Sequence, residues 1–358
     1  MAASTVKGRD SISPGDPQDL TMAQLAALLQ AVGIAPLSYR NLMGRNGGME
    51  VWQRGTVPVN VPAASTIYTV DGWVVANGAN QGMQVWQVVG LTPASRYAAQ
   101  FSRNTGVTGV TTSVMEFPLD TDEVVPMRGQ YVTLSFWARC NAAWTPAGKT
   151  LSYSMWTGTG APAKRVLGAY TGDVQAFSGS AALTTVAQRF TVTSLVPVDA
   201  SITCASVMFN WTPVGTAPAG DNFEIDDVQL EIGSVATPFE RRPFESELLA
   251  CQRHYEKSYE YGHPPGTASN VSCTIFINPI AANTGWLTER YKVRKRGIPA
   301  ITVYSSVSGL PNMVRNSTGT TDVAATGVNH GDTGFMVQFN AATAGHTWLW
   351  HWTADASI

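Results

Sequence analysis

A sugar ring has an apolar face and a rim of hydroxyls, so it is bound by an exposed aromatic side chain with polar groups beside it. Trp137 and Arg139 have that relation, two residues apart on the more polar side of the run from Tyr131 to Cys140. Trp156 stands in the same relation to Ser152 and Ser154. Trp144, in Asn141-Ala-Ala-Trp144, and Trp211, after Phe209 and Asn210, fall near expected turns and complete a candidate carbohydrate-contacting set. For each of these residues core or interface packing competes with ligand contact, because large aromatics are what fill a β-sandwich.

Bond-breaking chemistry finds less support. The five histidines, His254, His263, His330, His346 and His351, lie only in the last third of the chain and lack His-metal spacing. There is neither a Gly-x-Ser-x-Gly elbow nor a Walker-type loop. Glu224, Asp226 and Asp227 could be read as a glycosidase pair. Strand alternation accounts for them instead, with Glu224 and Asp226 on one face and Asp227 on the other. The expectation is a protein that is not an enzyme, with a polysaccharide depolymerase as an alternative.

These residues must be positioned by strands. The 358 residues include 33 Gly and 20 Pro spread in short clusters, as turns between many short strands require. Only 13% of residues are charged against 44% hydrophobic, and the formal net charge is −2. That balance excludes a nucleic-acid partner held by a concentrated basic surface. The one basic run, Arg290 to Arg296, reads as a strand edge or turn kept soluble by charge. No apolar stretch is long enough to span a membrane, and the N-terminus lacks the apolar core of a secretory signal, so synthesis in the cytoplasm is expected. Cys140, Cys204, Cys251 and Cys273 show no metal spacing, and Cys140 and Cys204 sit in apolar runs that suit buried thiols.

Val132, Leu134, Phe136, Ala138 and Cys140 form the clearest apolar strand face. Runs at 151–156, 189–192, 202–211 and 223–232 alternate likewise, which predicts an all-β sandwich. Two helices are expected beside it. Thr21 and Gln24 make a capping-box pattern ahead of Leu25, Leu28, Leu29 and Val32, with Gly33 as a stop. A second helix, over 244–259, carries Glu245 and Glu247 at its positive end. Strands resume at 272–277, 298–305, 334–339 and 347–352. The last of these sets Trp348, Trp350 and Trp352 on one face, expected to bury against another subunit or the sandwich. The predicted class is mainly β. It comprises an N-terminal arm with a short helix (1–40), a jelly-roll sandwich (41–243), a linker helix (244–261) and a smaller C-terminal β domain (262–358).

At Asn46-Gly-Gly-Met-Glu-Val-Trp-Gln-Arg-Gly55 the chain resembles the opening of carbohydrate-binding-module-like jelly rolls found in phage tail-fibre, head-spike and minor structural proteins. The resemblance continues in Tyr68-Thr-Val-Asp-Gly-Trp73, in Thr133-Leu-Ser-Phe-Trp-Ala-Arg139 and most specifically over residues 223–243. The stretches 247–259 and 295–304 are similar to the C-terminal portion that accompanies it, so the resemblance covers residues 41–358. It implies a structural component of a tailed-phage particle, located in the virion, that contacts host cell-surface carbohydrate. A capsid decoration or connector protein with a purely structural role is the alternative. It also implies docking to other phage structural proteins through the N-terminal arm and, with a helix too short to stand alone, a homotrimer. No cofactor is required. A structural calcium is implied at Gly48, Glu50, Asp226 and Asp227, whose oxygens suit a hard cation, against the alternative that these groups simply bond to the chain ends.

Overall fold

The computed structural model describes residues 5–8, 18–21, 24–25, 40–55, 58–277, 284–340 and 343–358. In the N-terminal arm, β1 (Thr5–Gly8) and β2 (Gln18–Thr21) pair antiparallel, with Thr5 opposite Thr21. Gln24 and Leu25 are helical, and the rest of the expected apolar stripe, Leu28 to Gly33, lies outside the described residues.

The central unit is a jelly-roll sandwich. Its strands are β3 (Val59–Val61), β4 (Thr66–Tyr68), β5 (Val74–Ala76), β6 (Met83–Val89), β7 (Tyr97–Arg103) and β8 (Ser113–Leu119). The chain continues through β9 (Val132–Cys140), β10 (Thr150–Gly158), β11 (Val174–Ala182), β12 (Gln188–Thr193), β13 (Cys204–Trp211) and β14 (Asn222–Ile232). They form two six-stranded sheets, ordered β11-β10-β13-β8-β5-β4 and β12-β9-β14-β7-β6-β3. Alternation drives the stacking: all five apolar residues foreseen on β9 are buried, and Phe136 meets Phe209 of the other sheet edge-on at 4.9 Å. Cys140, Cys204 and Cys251 are buried free thiols.

The linker helix, Phe244–Gln252, is shorter than its pattern suggested. Tyr255 instead enters β15 (Tyr255–Lys257), where it pairs with Asp355. The C-terminal unit adds β16 (Thr274–Ile277), β17 (Thr284–Arg290), β18 (Ala300–Ser305), β19 (Met313–Asn316), β20 (Thr321–Val328), β21 (Gly334–Asn340) and β22 (Thr347–Asp355). Four strands, β15, β16, β18 and β19, pair with β22. The three tryptophans of β22 therefore fill this unit's own core against Phe335 and Phe339, not a neighbour's surface. The basic run is also more than a solvated edge: Lys295 turns inward to the buried Glu256 carboxylate and the Gln252 carbonyl.

The two units meet at the motif that opens the sandwich. Arg54 lies over the Tyr255 ring at 3.7 Å and donates to Asp355 at 3.0 Å. Gln53 donates to the buried Asp71 and to the Tyr255 carbonyl, and the Tyr261 hydroxyl accepts from the Trp52 N–H at 2.6 Å. Residues 52–54 thus form a joint between the sandwich and the C-terminal sheet.

Candidate functional site

On β10 the pleat sends Leu151, Tyr153 and Met155 inward and leaves Ser152, Ser154 and Trp156 on the outer face. The neighbouring strands continue that polar face in register. Ser180 and Asn210 flank Ser152, while Ser178 and Met208 flank Ser154. A register shift between Met155 and Trp156 places Gln175 opposite the indole. The result is an open groove of about 410 Å³ across β11, β10 and β13. Gly179 is needed beneath it, since a Cβ there would sit 2.5 Å from the Tyr153 ring.

One end of the groove is shaped by the turn Arg165–Leu167. Glu116, fully buried on β8, anchors that turn by accepting from the Arg165 and Val166 N–H groups at 2.6 and 2.9 Å and from the Ser206 hydroxyl at 2.6 Å. Burial pushes the Glu116 carboxyl up, and these bonds oppose the rise. The Arg165 guanidinium lies 3.6 Å from the Trp156 ring centre and donates from Nε and Nη2 to Asp173 at 2.9 and 2.7 Å. Hydrogen bonding to Arg165 holds the Asp173 carboxyl below the usual range. At the other end lies Asn210, whose Oδ1 is buried without a hydrogen-bond partner among the described residues.

The five aromatic-set residues do not converge. Trp156 alone lines the groove. Trp137 and Arg139 lie on the outer face of the opposite sheet, where the Arg139 Nε donates to Glu224 at 2.8 Å. Trp144 and Trp211 are buried against Phe223, at centroid distances of 5.5 and 4.8 Å, so neither can offer a ring to a ligand. The turn after β9 folds back through the Trp144 N–H to the Asn141 carbonyl, which drives the indole into the sandwich end. Sequence reasoning missed Arg165, whose loop has no periodicity, and Asn210, whose place opposite Ser152 needs the strand register.

The expected cation site is built differently. A bulge at Asp226 to Gln229, with Asp227 at φ +49°, breaks the alternation that would have put the two aspartates on opposite faces. Both reach the loop after β6: Asp226 accepts from the Leu91 N–H at 3.0 Å and Asp227 from the Thr92 hydroxyl at 3.4 Å. Positive charge comes from Arg241, which donates to both oxygens of Asp227 at 2.8 Å and to Glu50 at 3.4 Å. Gly48 packs beside Phe239, where a Cβ would stand 3.3 Å from the ring. Among the described residues no cluster of three or more His, Cys, Asp or Glu could hold a metal ion. The Arg241 guanidinium balances the Asp227 and Glu50 carboxylates through directed hydrogen bonds.

No family model and no curated protein matches this chain. Among solved structures it is similar to a carbohydrate-binding module, CBM4, at 17% identity over 52% of this chain and 98% of that one, with a TM-score of 0.31. It is also similar to a Stig cyclase, Fisc, from Fischerella sp. TAU, at 14% identity over 53% and 96% of the two chains, with a TM-score of 0.35. A third likeness is to the enzymatically active domain of tailspike protein 4 of bacteriophage CBA120, at 12% identity over 60% of this chain but 22% of that one, with a TM-score of 0.28. Binding modules and enzymes thus stand side by side among these neighbours, and the fold assignment rests on the sheets themselves. The chain is a mainly β protein whose central unit is a jelly-roll sandwich.

Proposed function

We propose that the sandwich binds carbohydrate, without cleaving it, in the groove across β11, β10 and β13. The observation that carries this reading is the groove itself: an aromatic ring at one end, a row of serine hydroxyls, and a buried unpartnered amide oxygen at the other. That is the mixture of apolar platform and hydrogen-bonding groups a sugar requires. The residues lining it include no carboxylate, so it offers no acid–base pair for glycoside hydrolysis. Together with the resemblance of residues 46–55 and 223–243 to phage proteins, this supports a fibre or spike that contacts the host surface as part of the virion. Weak sites suffice there because repeated copies bind by avidity. Host surface glycan and other particle proteins, the latter through the N-terminal arm, are the partners of this reading.

A glycan array probed with the full chain and with Trp156→Ala tests it. Binding by the wild type that the substitution removes is expected, and binding unaffected by it rules out the groove. Light scattering at micromolar concentration tests the homotrimer, and a monomer would exclude it. The exposed Ile275, Ile277 and Trp286 on β16 and β17 favour a second, cementing role in which the C-terminal unit packs against other particle subunits.

A further inference from the structure

We propose that the Arg165 end of the groove selects glycans bearing a carboxylate, an inference that rests on the sugar-binding reading of the same groove. Arg165 is the one charged side chain among the groove's lining residues. A guanidinium carries five N–H donors arranged along two usable edges. Asp173 occupies the edge formed by Nε and Nη2. Nη1 has no hydrogen-bond partner among the described residues and is not fully buried, so the Nη1–Nη2 edge keeps donors to spare. That edge matches a carboxylate in the two-point geometry a lysine could not reproduce.

The donors are also held ready. The guanidinium is stacked on Trp156, forked onto Asp173, and tied through its own backbone N–H to the buried Glu116. A group fixed before the ligand arrives loses little freedom on binding, which raises both affinity and selectivity. Asp173 does not contradict the selection: it fixes one edge of the guanidinium and lies outside the lining of the groove. Trp156 and Ser152, four residues apart on one strand, are separated by about 13 Å. The acidic group would sit at the Arg165 end, while neutral hydroxyls reach Ser152 and Asn210.

The test uses the full chain and an array that pairs polygalacturonate, alginate and polysialic acid with their carboxyl-reduced forms, beside neutral galactan and dextran. Wild type is expected to bind at least one acidic member about tenfold more tightly than its reduced form, a preference that Arg165→Gln abolishes. Arg165→Lys keeps the charge without the fork and is expected to lose most of the preference. Should either variant fail to fold by circular dichroism, wild-type binding as a function of pH replaces it. Affinity for the acidic glycan must then fall as the glycan's own carboxyl protonates, with Asp173 still ionised. Equal binding to acidic and reduced forms, or binding to neutral glycans alone that Trp156→Ala removes, overturns the acid selectivity and leaves the sugar site standing. Binding to no member of the array overturns both.

Discussion

The two outer faces of the sandwich began as the same pattern and ended differently. Trp156 beside Ser154 and Trp137 beside Arg139 are each an indole among polar groups on a strand. On the β10 side the Arg165 guanidinium stacks over the Trp156 end of the polar row, and a groove remains over the serines. On the β9 side the chain that follows β14 folds back over the Thr133 and Ser135 end of the row and leaves Trp137 and Arg139 partly exposed. Thr133 donates to the Gly233 carbonyl at 2.7 Å, Arg189 bonds the Thr237 carbonyl, and the Glu240 N–H donates to Gln229 at 2.8 Å. Glu231 sits within this strap, accepting from the Thr237 N–H and hydroxyl and from Gln229 at 2.5 to 2.9 Å. Thr133 and Ser135, polar and on the outer face, are consequently buried. A polar strand face is open or closed according to what the rest of the chain lays across it.

This contrast can be broken or sharpened by experiment. The largest effect is expected from Trp156→Ala, which should weaken glycan binding by about tenfold or more, while Trp137→Ala changes it less than about twofold. Isothermal titration on the two variants decides, and comparable losses from both would erase the distinction between the faces. On the closed face, Glu231→Ala should cost about 2–3 kcal/mol in urea unfolding, because it strands the Thr237 and Gln229 donors. Glycan affinity should not move with it.

Gly179→Ala should cost about 1–3 kcal/mol by forcing the Tyr153 ring aside beneath the groove. Unlike Glu231→Ala, it should also weaken binding. A pH slope is expected from the Asp226 bulge on β14. Burial first, and then the neighbouring Asp227 charge, pushes the Asp226 carboxyl from 3.8 to about 7. The folded state therefore holds a proton that the unfolded chain releases, and its stability declines as pH rises through that window, levelling off above it. Melting temperatures of wild type and Asp226→Asn across pH 4 to 8 should show a slope in the wild type that the variant flattens.

Much of the architecture was legible. The apolar faces of β9, β10 and β13 have period two and pack against the opposite sheet, whereas a bulge interrupts the period on β14 and most outer-face residues of β13 and β14 are buried as well. The linker helix began where Glu245 and Glu247 announced it, while the start of the N-terminal helix lies outside the described residues. The linker helix ended early, because Tyr255 gains more from pairing with β22 than from another turn of a helix with a weak apolar stripe. The site was legible only in part. Trp156 with Ser152 and Ser154 was visible from alternation, while Trp144 and Trp211 looked equally suitable and proved to be core. A turn tryptophan can swing either way, and local sequence does not record which side the turn folds toward.

By itself, then, the sequence determined which residues alternate and so that the protein is built of stacked sheets, since the pleat converts spacing into sidedness without regard to distant partners. Its sparse and balanced charge also argued against a nucleic-acid partner. Only the tertiary structure decided which of two equivalent polar faces stays open, that Arg241 balances the charge of Asp227 and Glu50, and that Arg165 is brought over Trp156. Those outcomes depend on segments far apart in the chain meeting across sheets, and no local pattern encodes a contact whose partners are set by the packing of everything between them.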